Sequence, residues 1–452
     1  MCGIAGVKGN DSEILVRRMI NVLKHRGPDG SGVYTAGDIS IGNVLLKITG
    51  EKKQPVYNRG ALTYNGEIYN FRDIARRLDI ETDSDSEVLF SLIEKKGIES
   101  AIGELDGDYA FGYASGDQLR LARDPAGVKP LYYGYENGVF AFASEKKALH
   151  VIGINQISSV PPGYMLSHNG NGTTQKKVVS FACGERITDE QTASDALFSA
   201  IEMAVEKRRY KPCGIAFSGG LDSSLIAALS YDSELYSVGM AGSHDMNWAK
   251  KAALALGLSD RLHWHELAMD DLESALPDVL GAVESTDPLR ISIALPLYFA
   301  SRDANEDGIC VMMSGQGADE LFAGYKRYES MKADELEIAL RKDLDNIAQT
   351  NLERDDAVTM ANAVELRVPY LDREVVELAL RIDPVLKIHN GVRKYILRKT
   401  AEKVIPADIA WKEKKAAQYS SGLYSALEKL AKKNGFHGIR SPGKYLESIK
   451  DF

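Results

Sequence analysis

A glycine-rich turn between a strand and a helix constrains the fold of this chain more than any other feature. Residues 214–217 (GIAF) read as a strand, residues 218–224 (SGGLDSS) as the turn, and residues 224–230 as a helix. Two glycines let backbone N–H groups point inward as a nest for an anion, and the N-terminus of the helix adds positive potential. The serine hydroxyls can donate to phosphate oxygens while Asp222 holds Mg²⁺ against the same phosphates. The alternative, a glycine-rich turn with a plain helix cap, is disfavoured by the strand–turn–helix context.

The segments around this turn predict a parallel sheet. A helix is expected over 194–209, because Leu197, Ile201 and Val205 repeat at i, i+4 and i+8. Further strands are expected at 235–238 and 309–313, each followed by a turn or a helix. Strands that alternate with helices in this way form a doubly wound parallel sheet. From about residue 333 the chain is predicted to be helical and rich in charge.

A second loop, residues 314–320 (SGQGADE), follows the strand predicted at 309–313. Neighbouring parallel strands end at the same edge of a sheet, so Asp319 is expected near Asp222, where the two carboxylates could share a metal ion. An ordinary acidic helix start is the alternative interpretation of Asp319 and Glu320.

The first part of the chain, to about residue 180, reads as short strands broken by turns. Asn137-Gly138 between two apolar runs is a strong hairpin signal, and residues 86–95 carry one apolar helical face. This pattern fits an α+β fold. The polar stretch 183–192 is predicted to be a linker, which gives a domain at 1–182 and a second at 193–452.

Composition excludes several classes of function. The net charge of -9 argues against nucleic acid or an anionic membrane as the main partner. The four cysteines are far apart, which gives no readable zinc site, and all except Cys2 are expected to be buried. No apolar run reaches the ~20 residues of a membrane span, and no signal peptide is recognisable, so a cytoplasmic protein is expected.

Cys2 is the candidate nucleophile of the first part. If Met1 is removed, Cys2 carries both a thiol and a free α-amino group with a pKa of roughly 7.7–8.0. That amine can serve, directly or through a water, as the base for its own thiol. For this position alone, an accidental cysteine is the alternative.

Several motifs, taken together and in order, resemble the glutamine-hydrolysing asparagine synthetase family along nearly the whole chain. They are residues 1–7 (MCGIAGV), 25–30 (HRGPDG), 64–70 (YNGEIYN), 84–87 (SDSE), 123–131 (RDPAGVKPL), 218–224 (SGGLDSS), 314–325 (SGQGADELFAGY), 360–372 (MANAVELRVPYLD) and 395–399 (YILRK). The resemblance implies an α+β N-terminal nucleophile (Ntn) hydrolase domain of stacked antiparallel sheets with helices. It also implies a following α/β ATP pyrophosphatase domain with a doubly wound parallel sheet and a helical C-terminal region.

The resemblance implies a two-step reaction. In the first half, Cys2 would attack the side-chain amide of glutamine and release ammonia through a thioester. Asn65 and the Gly66 N–H would hold the oxyanion, and Asp85 would bind the α-amino group, with Glu67 also at the glutamine site. In the second half, ATP would adenylate a carboxylate, by default that of aspartate. Ammonia would then attack the acyl-adenylate to give asparagine, AMP and pyrophosphate.

The same matching assigns residues of the second half. The ATP and pyrophosphate site would comprise Ala216, Ser218, Gly219, Gly220, Asp222, Ser223, Ser224, Val238, Asp245, Ser314 and Gly315. Asp222 and Asp319 would hold Mg²⁺, and Gln316 and Arg290 would lie at the acceptor site. Lys414 would offset charge on the α-phosphate, although Lys415 and a plain solvated basic run remain open as alternatives.

Three positions depart from the family pattern. Leu45 stands where the family has an arginine that clamps the α-carboxylate of glutamine, and Lys47 lacks the planar fork to replace it. Gln316 stands where a glutamate is common, which removes a charge and a candidate base. Residues 284–296 lack the Thr-Thr-x-Arg pattern associated with aspartate, and Arg290 is spaced differently.

Two alternatives to the aspartate-dependent enzyme follow from these departures. One is a ligase of the same fold that adenylates a different carboxylate and has a weakened glutaminase half. The other is a non-catalytic regulatory or scaffold homologue, which the complete SGGLDSS loop and the two aspartates argue against. The sequence leaves the oligomeric state open, with a homodimer among the options.

Overall fold

The chain folds as two compact units, Met1–Phe181 and Ala182–Phe452. The structure is a computed structural model that describes residues 2–50, 52–170, 172–413 and 422–450, with the side chains of His244 and Asp245 outside the description. Searched over that part of the chain, the helices include none with the length and apolar character needed to cross a membrane.

The first unit is built on two six-stranded antiparallel sheets. Its strands are β1 Cys2–Lys8, β2 Gly30–Ala36, β3 Ile39–Leu45, β4 Val56–Tyr57, β5 Ala61–Ile68, β6 Gly107–Ser115, β7 Gln118–Arg123, β8 Tyr132–Glu136, β9 Val139–Ala143, β10 Ile157–Ser159, β11 Tyr164–His168 and β12 Thr173–Lys177. Its helices are α1 Ser12–Val22, α2 Phe71–Leu78, α3 Asp85–Lys96, α4 Ile98–Glu104 and α5 Lys146–His150. The strand orders are β10-β8-β9-β1-β3-β2 and β12-β11-β7-β6-β5-β4.

The two sheets stack with helices on their outer faces, and β1 explains why. Side chains alternate along a strand, so Cys2 and Ile4 pack in the layer between the sheets with residues such as Phe142. Ala5 and Val7 face the other way, against α1 and α5. The outer face of the second sheet packs against α2, α3 and α4. Because β1 is covered on both faces, Cys2 lies at the start of a buried, rigid strand.

The second unit is built on a five-stranded parallel sheet with the order β15-β14-β13-β16-β17. Its strands are β13 Gly214–Ala216, β14 Glu234–Met240, β15 Leu262–Leu267, β16 Val311–Met313 and β17 Glu365–Arg367, with a separate hairpin of β18 Ile388–His389 and β19 Val392–Arg393. Its helices are α6 Glu190–Arg208, α7 Leu221–Leu229, α8 His244–Ala255, α9 Met269–Val283, α10 Pro288–Glu306, α11 Ala318–Phe322, α12 Ala333–Ile347, α13 Glu353–Met360, α14 Arg373–Arg381, α15 Pro384–Lys387, α16 Tyr395–Ala401, α17 Ala407–Ala410, α18 Leu423–Lys433 and α19 Ser441–Ser448.

The strand order places the two predicted loops side by side. β13 and β16 are neighbours in the sheet, and the chain leaves them in opposite directions to reach β14 and β17. Ligands of doubly wound sheets bind at such a switch point, beyond the carboxyl ends of the strands. The predicted antiparallel first unit and parallel second unit are both confirmed.

Several details differ from expectation. The part of the chain from about residue 333, predicted to be helical, also contributes β17 to the edge of the parallel sheet. The helix predicted over 194–209 begins four residues earlier, because Asp189 accepts a hydrogen bond from Thr192 N (2.8 Å) and caps it. The stretch 183–192 is therefore only partly a linker. Ile187 forms a contact within the second unit, where its backbone nitrogen donates to the carbonyl oxygen of Arg381 (2.8 Å). Cys183, expected to be buried, is exposed.

Candidate active sites

Two polar side chains, those of Asn65 and Gln54, contact Cys2. Its backbone nitrogen donates to Asn65 Oδ1 (3.0 Å), and Gln54 Nε2 lies 3.7 Å from Cys2 Sγ as a donor. Gln54 is itself fixed, because its Oε1 accepts from Tyr64 N (2.8 Å). Burial raises the pKa of the Cys2 thiol above its ordinary value. A base is therefore needed to form the thiolate, and the α-amino group that removal of Met1 would expose is the candidate.

Asn65 presents a fixed donor beside this thiol. Its Oδ1 is occupied by Cys2 N, which sets the orientation of the amide, and its Nδ2 is buried with no hydrogen-bond partner among the described residues. A buried unsatisfied donor costs free energy unless a ligand completes it. The next residue, Gly66, has φ +155°, and a Cβ there would lie 2.2 Å from the Asp108 carbonyl oxygen. Only glycine fits, so the structure brings the two predicted oxyanion residues together beside Cys2.

A buried ion pair between Arg26 and Glu145 supports the Cys2 backbone. The sequence did not predict this pair as part of the site. Arg26 Nε donates to the Cys2 carbonyl oxygen (3.3 Å), and Arg26 Nη1 pairs with Glu145 Oε1 (2.8 Å). The HRGPDG motif was the available signal for Arg26. Glu145 and Gln54 carried no comparable signal, since neither lies in a recognised motif.

Two buried carboxylates lie at the predicted glutamine site. Glu67 accepts from Thr49 Oγ1 (2.7 Å), and Asp85 accepts from Tyr64 Oη (2.7 Å) and Ile68 N (3.2 Å). Burial, together with the charge of Glu67, raises the pKa of Asp85 to about 7. Paired acids of this kind favour a cationic ligand, because an ammonium group would relieve their repulsion.

Leu45 forms part of the same pocket. It pairs with Cys2 across β1 and β3, and both residues line a cavity of about 20 Å³, which has room for about one water molecule. Two lysines also line this cavity. Lys47 is exposed, and Lys52 pairs with Glu87 (2.6 Å).

The loop after β13 has the predicted form. Ser218 N and Ser218 Oγ lie 3.2 Å from Ser223 Oγ, and Gly220 N donates to Ser218 Oγ (3.3 Å). Gly219 has φ +68°, and a Cβ there would lie 2.8 Å from the Cα of Ala249. Ser224 Oγ is buried with no hydrogen-bond partner among the described residues. The loop thus has unused hydroxyl and amide donors at the start of α7, as an anion site requires.

The two predicted metal aspartates meet at a lysine that sequence reasoning missed. Lys394 Nζ lies 2.6 Å from Asp222 Oδ1 and 2.6 Å from Asp319 Oδ1, so these oxygens are within about 5 Å of each other. The loops approach so closely that a Cβ on Gly315 would lie 2.7 Å from the Cβ of Asp222. Lys394 precedes the 395–399 motif, which was its only signal.

The donor chemistry at this point fits Mg²⁺. Two carboxylates beside a phosphate-binding loop are the protein ligands that Mg²⁺ ordinarily takes, with phosphates and waters completing its shell. No cluster of three or more His, Cys, Asp or Glu suited to a metal occurs among the described residues.

The remaining predicted nucleotide residues line the same sheet edge. Ala216 ends β13, and Val238 lies in β14, and both pack on the cluster that holds Leu366. Ser314 N donates to the Arg367 carbonyl oxygen (3.0 Å), and the partly buried Gly315 follows it.

The predicted acceptor residues are not joined to each other. Arg290 Nη1 donates to the Gln349 carbonyl oxygen (3.3 Å), and its Nε is buried with no hydrogen-bond partner among the described residues. No hydrogen bond joins Arg290 to Gln316 within the described part of the chain. Glu320, next to Asp319, is buried and accepts from Tyr325 Oη (2.5 Å) and Asn351 Nδ2 (3.0 Å). The side chain of Asp245, and Lys414 and Lys415, lie outside the described residues.

Comparison with known proteins assigns both units to families. A glutamine amidotransferase domain model matches residues 1–178, and an asparagine synthase model matches residues 195–337 and 329–435. The putative glutamine-hydrolyzing asparagine synthetase 1 of Methanocaldococcus jannaschii is 36% identical over 543 residues, which cover 100% of this chain and 99% of that protein. Glutamine-hydrolyzing asparagine synthetase B of Escherichia coli is 32% identical and covers 95% of this chain and 84% of its own length.

Among solved structures, glutamine phosphoribosylpyrophosphate amidotransferase from B. subtilis, complexed with ADP and GMP, is 23% identical, with a TM-score of 0.38 over 53% of this chain and 67% of that chain. The family models span most of both units, and the two relatives match nearly the whole chain. The chain therefore belongs to the glutamine-hydrolysing asparagine synthetase family, and it is an ATP-dependent amidotransferase of that carbon–nitrogen ligase type.

Proposed function

We propose that Cys2 hydrolyses glutamine in the first unit and that the second unit adenylates a carboxylate, by default that of aspartate, for attack by the ammonia released. The observation that carries the proposal is the fixed contact between Cys2 N and Asn65 Oδ1 (3.0 Å), which leaves Asn65 Nδ2 as a buried donor beside the nucleophile.

In the first unit, Cys2 Sγ attacks the amide carbon of glutamine while its proton passes to the α-amino nitrogen of Cys2. Asn65 Nδ2 and the Gly66 N–H donate to the oxyanion, where one such donor is typically worth about 3 kcal/mol. The C–N bond breaks, ammonia leaves with the proton, and water hydrolyses the thioester to glutamate. Asp85 and Glu67 hold the α-amino group of the substrate, because that cation relieves the repulsion between the two buried acids.

In the second unit, an oxygen of the acceptor carboxylate attacks the α-phosphorus of ATP, and pyrophosphate leaves onto the loop that runs from Ser218 to Ser224. Ammonia then adds to the acyl carbon, loses a proton, and displaces AMP. Ala216, Val238, Ser314 and Gly315 provide the edge against which the nucleoside lies.

Asp222 and Asp319 are the residues that would hold Mg²⁺, which would neutralise the charge of the departing pyrophosphate. Lys394 supplies a fixed positive charge at the same place. Asp245 and either Lys414 or Lys415 complete the nucleotide site in this proposal.

The acceptor is the open part of this proposal. Gln316 and Arg290 depart from the family pattern, and Arg290 has a buried Nε with no partner in the described part of the chain. An acceptor carboxylate at Arg290 would complete that donor. We therefore retain a second candidate, a ligase of the same type that adenylates a carboxylate other than that of aspartate.

The test is pyrophosphate–ATP exchange screened over aspartate, glutamate and other carboxylates, with glutaminase activity measured on protein whose processed N-terminus is verified. We expect exchange with aspartate and loss of glutaminase activity in Cys2→Ala, with ammonia-dependent synthesis within about twofold of wild type. Exchange with another carboxylate alone would replace aspartate. Absence of both exchange and glutaminase activity would favour the non-catalytic homologue.

We further propose that the enzyme works in the cytoplasm without nucleic acid or membrane partners. A homodimer is the assembly to test by light scattering coupled to size-exclusion chromatography.

A further inference from the structure

The second unit contains a large cavity whose lining includes no residue of the 218–224 loop or the 314–320 loop. This cavity is open to solvent on one side, has a volume of about 610 Å³, and lies between α12, the end of α14, and α15, with Cys183 also in its lining. Cavities that hold small molecules typically enclose roughly 300–1,000 Å³. This cavity therefore has room for a small molecule, and no step of the two reactions uses it.

Lys387 is the unusual group in this cavity. Lys387 is buried, with only 5% of its surface exposed. Its ammonium forms no hydrogen bond and no ion pair with any described residue. Burying an unpaired charge is costly. The Lys387 ammonium is not among the fully enclosed polar atoms, so it is open to a ligand in the cavity that Lys387 lines.

The carboxylates nearest to Lys387 are already committed to another cation. Glu337 and Asp383 both attract Lys387, but Arg186 pairs with Glu337 at 2.6 Å and with Asp383 at 3.7 Å. The positive charge of Arg186 also repels Lys387. Lys387 is thus left with an incomplete counter-charge.

The rest of the lining combines further cations with apolar walls. Arg341 and Lys342 line the cavity beside the acids Glu337 and Asp345, and Asp345 pairs with Arg341 at 3.7 Å. With Lys387 the lining carries three cations and two acids. The apolar side of the lining is formed by Ile338, Leu340, Leu380, Ile382 and Pro384. Basic groups beside an aliphatic wall are complementary to an anion that carries an apolar body.

We propose that this cavity is a binding site for a small organic carboxylate with an aliphatic or aromatic body, whose carboxylate pairs with Lys387. Arg341 and Lys342 add positive charge, and the apolar residues hold the body of the ligand. The proposal does not depend on the reactions assigned to either unit, because it uses none of their residues.

The protonation of Lys387 provides a direct signature of this binding. Burial lowers the pKa of Lys387 to about 8. A bound carboxylate favours the charged ammonium and raises that pKa. Binding near pH 8 is therefore accompanied by proton uptake, which a ligand held by apolar contacts alone would not cause.

The test is calorimetric titration of the full-length protein with octanoate, and with octylammonium as the probe of opposite charge. We expect saturable octanoate binding that is at least tenfold weaker in Lys387→Met and unchanged in Lys403→Met, a lysine that pairs with Asp195 outside the cavity. Titrations in buffers of different ionisation enthalpy at pH 8 should show proton uptake in the wild type only. Equal octanoate affinity in wild type and Lys387→Met, equal binding of octylammonium, or no octanoate binding would each overturn the proposal.

A second measurement covers the case in which Lys387→Met fails to fold. Wild-type protein is treated with trinitrobenzenesulfonate, and the modification of Lys387 is followed by peptide mass spectrometry. Saturating octanoate should slow modification of Lys387 at least fivefold and leave that of Lys403 unchanged. An unchanged rate at Lys387 would contradict the proposed site.

Discussion

Single side chains set opposite electrostatic conditions in the two candidate sites. In the first unit, Glu67 and Asp85 place two buried acids together, and the pKa of Asp85 is raised to about 7. In the second unit, Lys394 lies between Asp222 and Asp319 and offsets one of their two negative charges. The first site thus favours a cationic ligand, whereas in the second a cation of the chain itself already lies between the acids.

The raised pKa of Asp85 predicts a pH dependence of glutaminase activity. Asp85 must be ionised to hold the α-amino group, so kcat/KM for glutamine should fall as the pH decreases below about 7. Removing the charge of Glu67 in Glu67→Gln lowers the pKa of Asp85, and the acid limb should move down by roughly one pH unit. The measurement is the pH profile of glutamate release. Glu13→Gln, an exposed glutamate on α1, is the control, and an acid limb that does not move in Glu67→Gln would contradict the assignment.

Leu45 predicts a variant with improved use of glutamine. Because Leu45 lines the pocket of Cys2, Leu45→Arg places a guanidinium there for the α-carboxylate of the substrate. A charge-assisted hydrogen bond contributes ~1.5–3 kcal/mol, so KM for glutamine should fall about tenfold or more with little change in kcat.

The control for this variant is Lys53→Arg, which adds a guanidinium nearby at an exposed position outside the pocket lining. Ammonia-dependent synthesis should be the same in Leu45→Arg and wild type. An unchanged KM for glutamine would show that the carboxylate is bound elsewhere.

At the scale of elements, one aspartate connects two helices. Asp372 caps α14, accepting from Glu374 N (3.0 Å), and pairs with Arg208 (2.6 Å) and Lys207 (3.1 Å) at the end of α6. These cations hold the pKa of Asp372 below its usual value although burial opposes them. The buried pair therefore fixes α6 against the start of α14.

Asp372→Asn should destabilise the second unit by about 3 kcal/mol at neutral pH, because it leaves Arg208 buried without its counter-charge. The lowered pKa means that this contribution is complete above the usual aspartate pKa of ~3.9 and is lost as the pH falls through the folded value. The difference between wild type and variant should therefore shrink on acidification. Urea denaturation followed by tryptophan fluorescence measures it, since Trp248, Trp264 and Trp411 all lie in the second unit. A difference that stays constant as the pH is lowered from about 4 to about 2 would count against the ion pair as its cause.

The sequence predicted the elements better than their ends. Periodicity and turn residues located the β8–β9 hairpin and the strand–loop–helix units around β13 and β16. The start of α6 was misplaced because its first turn is polar, and only the cap by Asp189 reveals it. The β-bridge between Ile187 and Ile382 joins residues far apart in the chain, and local pattern carries no information about such contacts.

The site residues likewise divide into those that the sequence predicted and those that it did not. Residues inside motifs, such as Cys2, Asn65 and Asp222, could be predicted because the motif fixes both type and spacing. Gln54, Glu145 and Lys394 could not, since each reaches its site through tertiary packing. Lys387 was equally hidden, because a lysine carries no sequence signal of burial.

At the scale of the whole molecule, two compact units predict two unfolding transitions. Chains with several units commonly depart from two-state behaviour. MgATP binds the second unit in our proposal, so it should raise only the transition reported by tryptophan. At a hundredfold excess over Kd the stabilisation is about 2.7 kcal/mol. Differential scanning calorimetry with parallel fluorescence measures both transitions, and a single transition that moves as a whole with MgATP would contradict this expectation.

Lys394 has a consequence for the two loops of the proposed nucleotide site. The ammonium group between Asp222 and Asp319 keeps their loops together without a metal ion. In the function proposed above, the two loops that would take magnesium and nucleotide are therefore already linked through side chains of the chain itself.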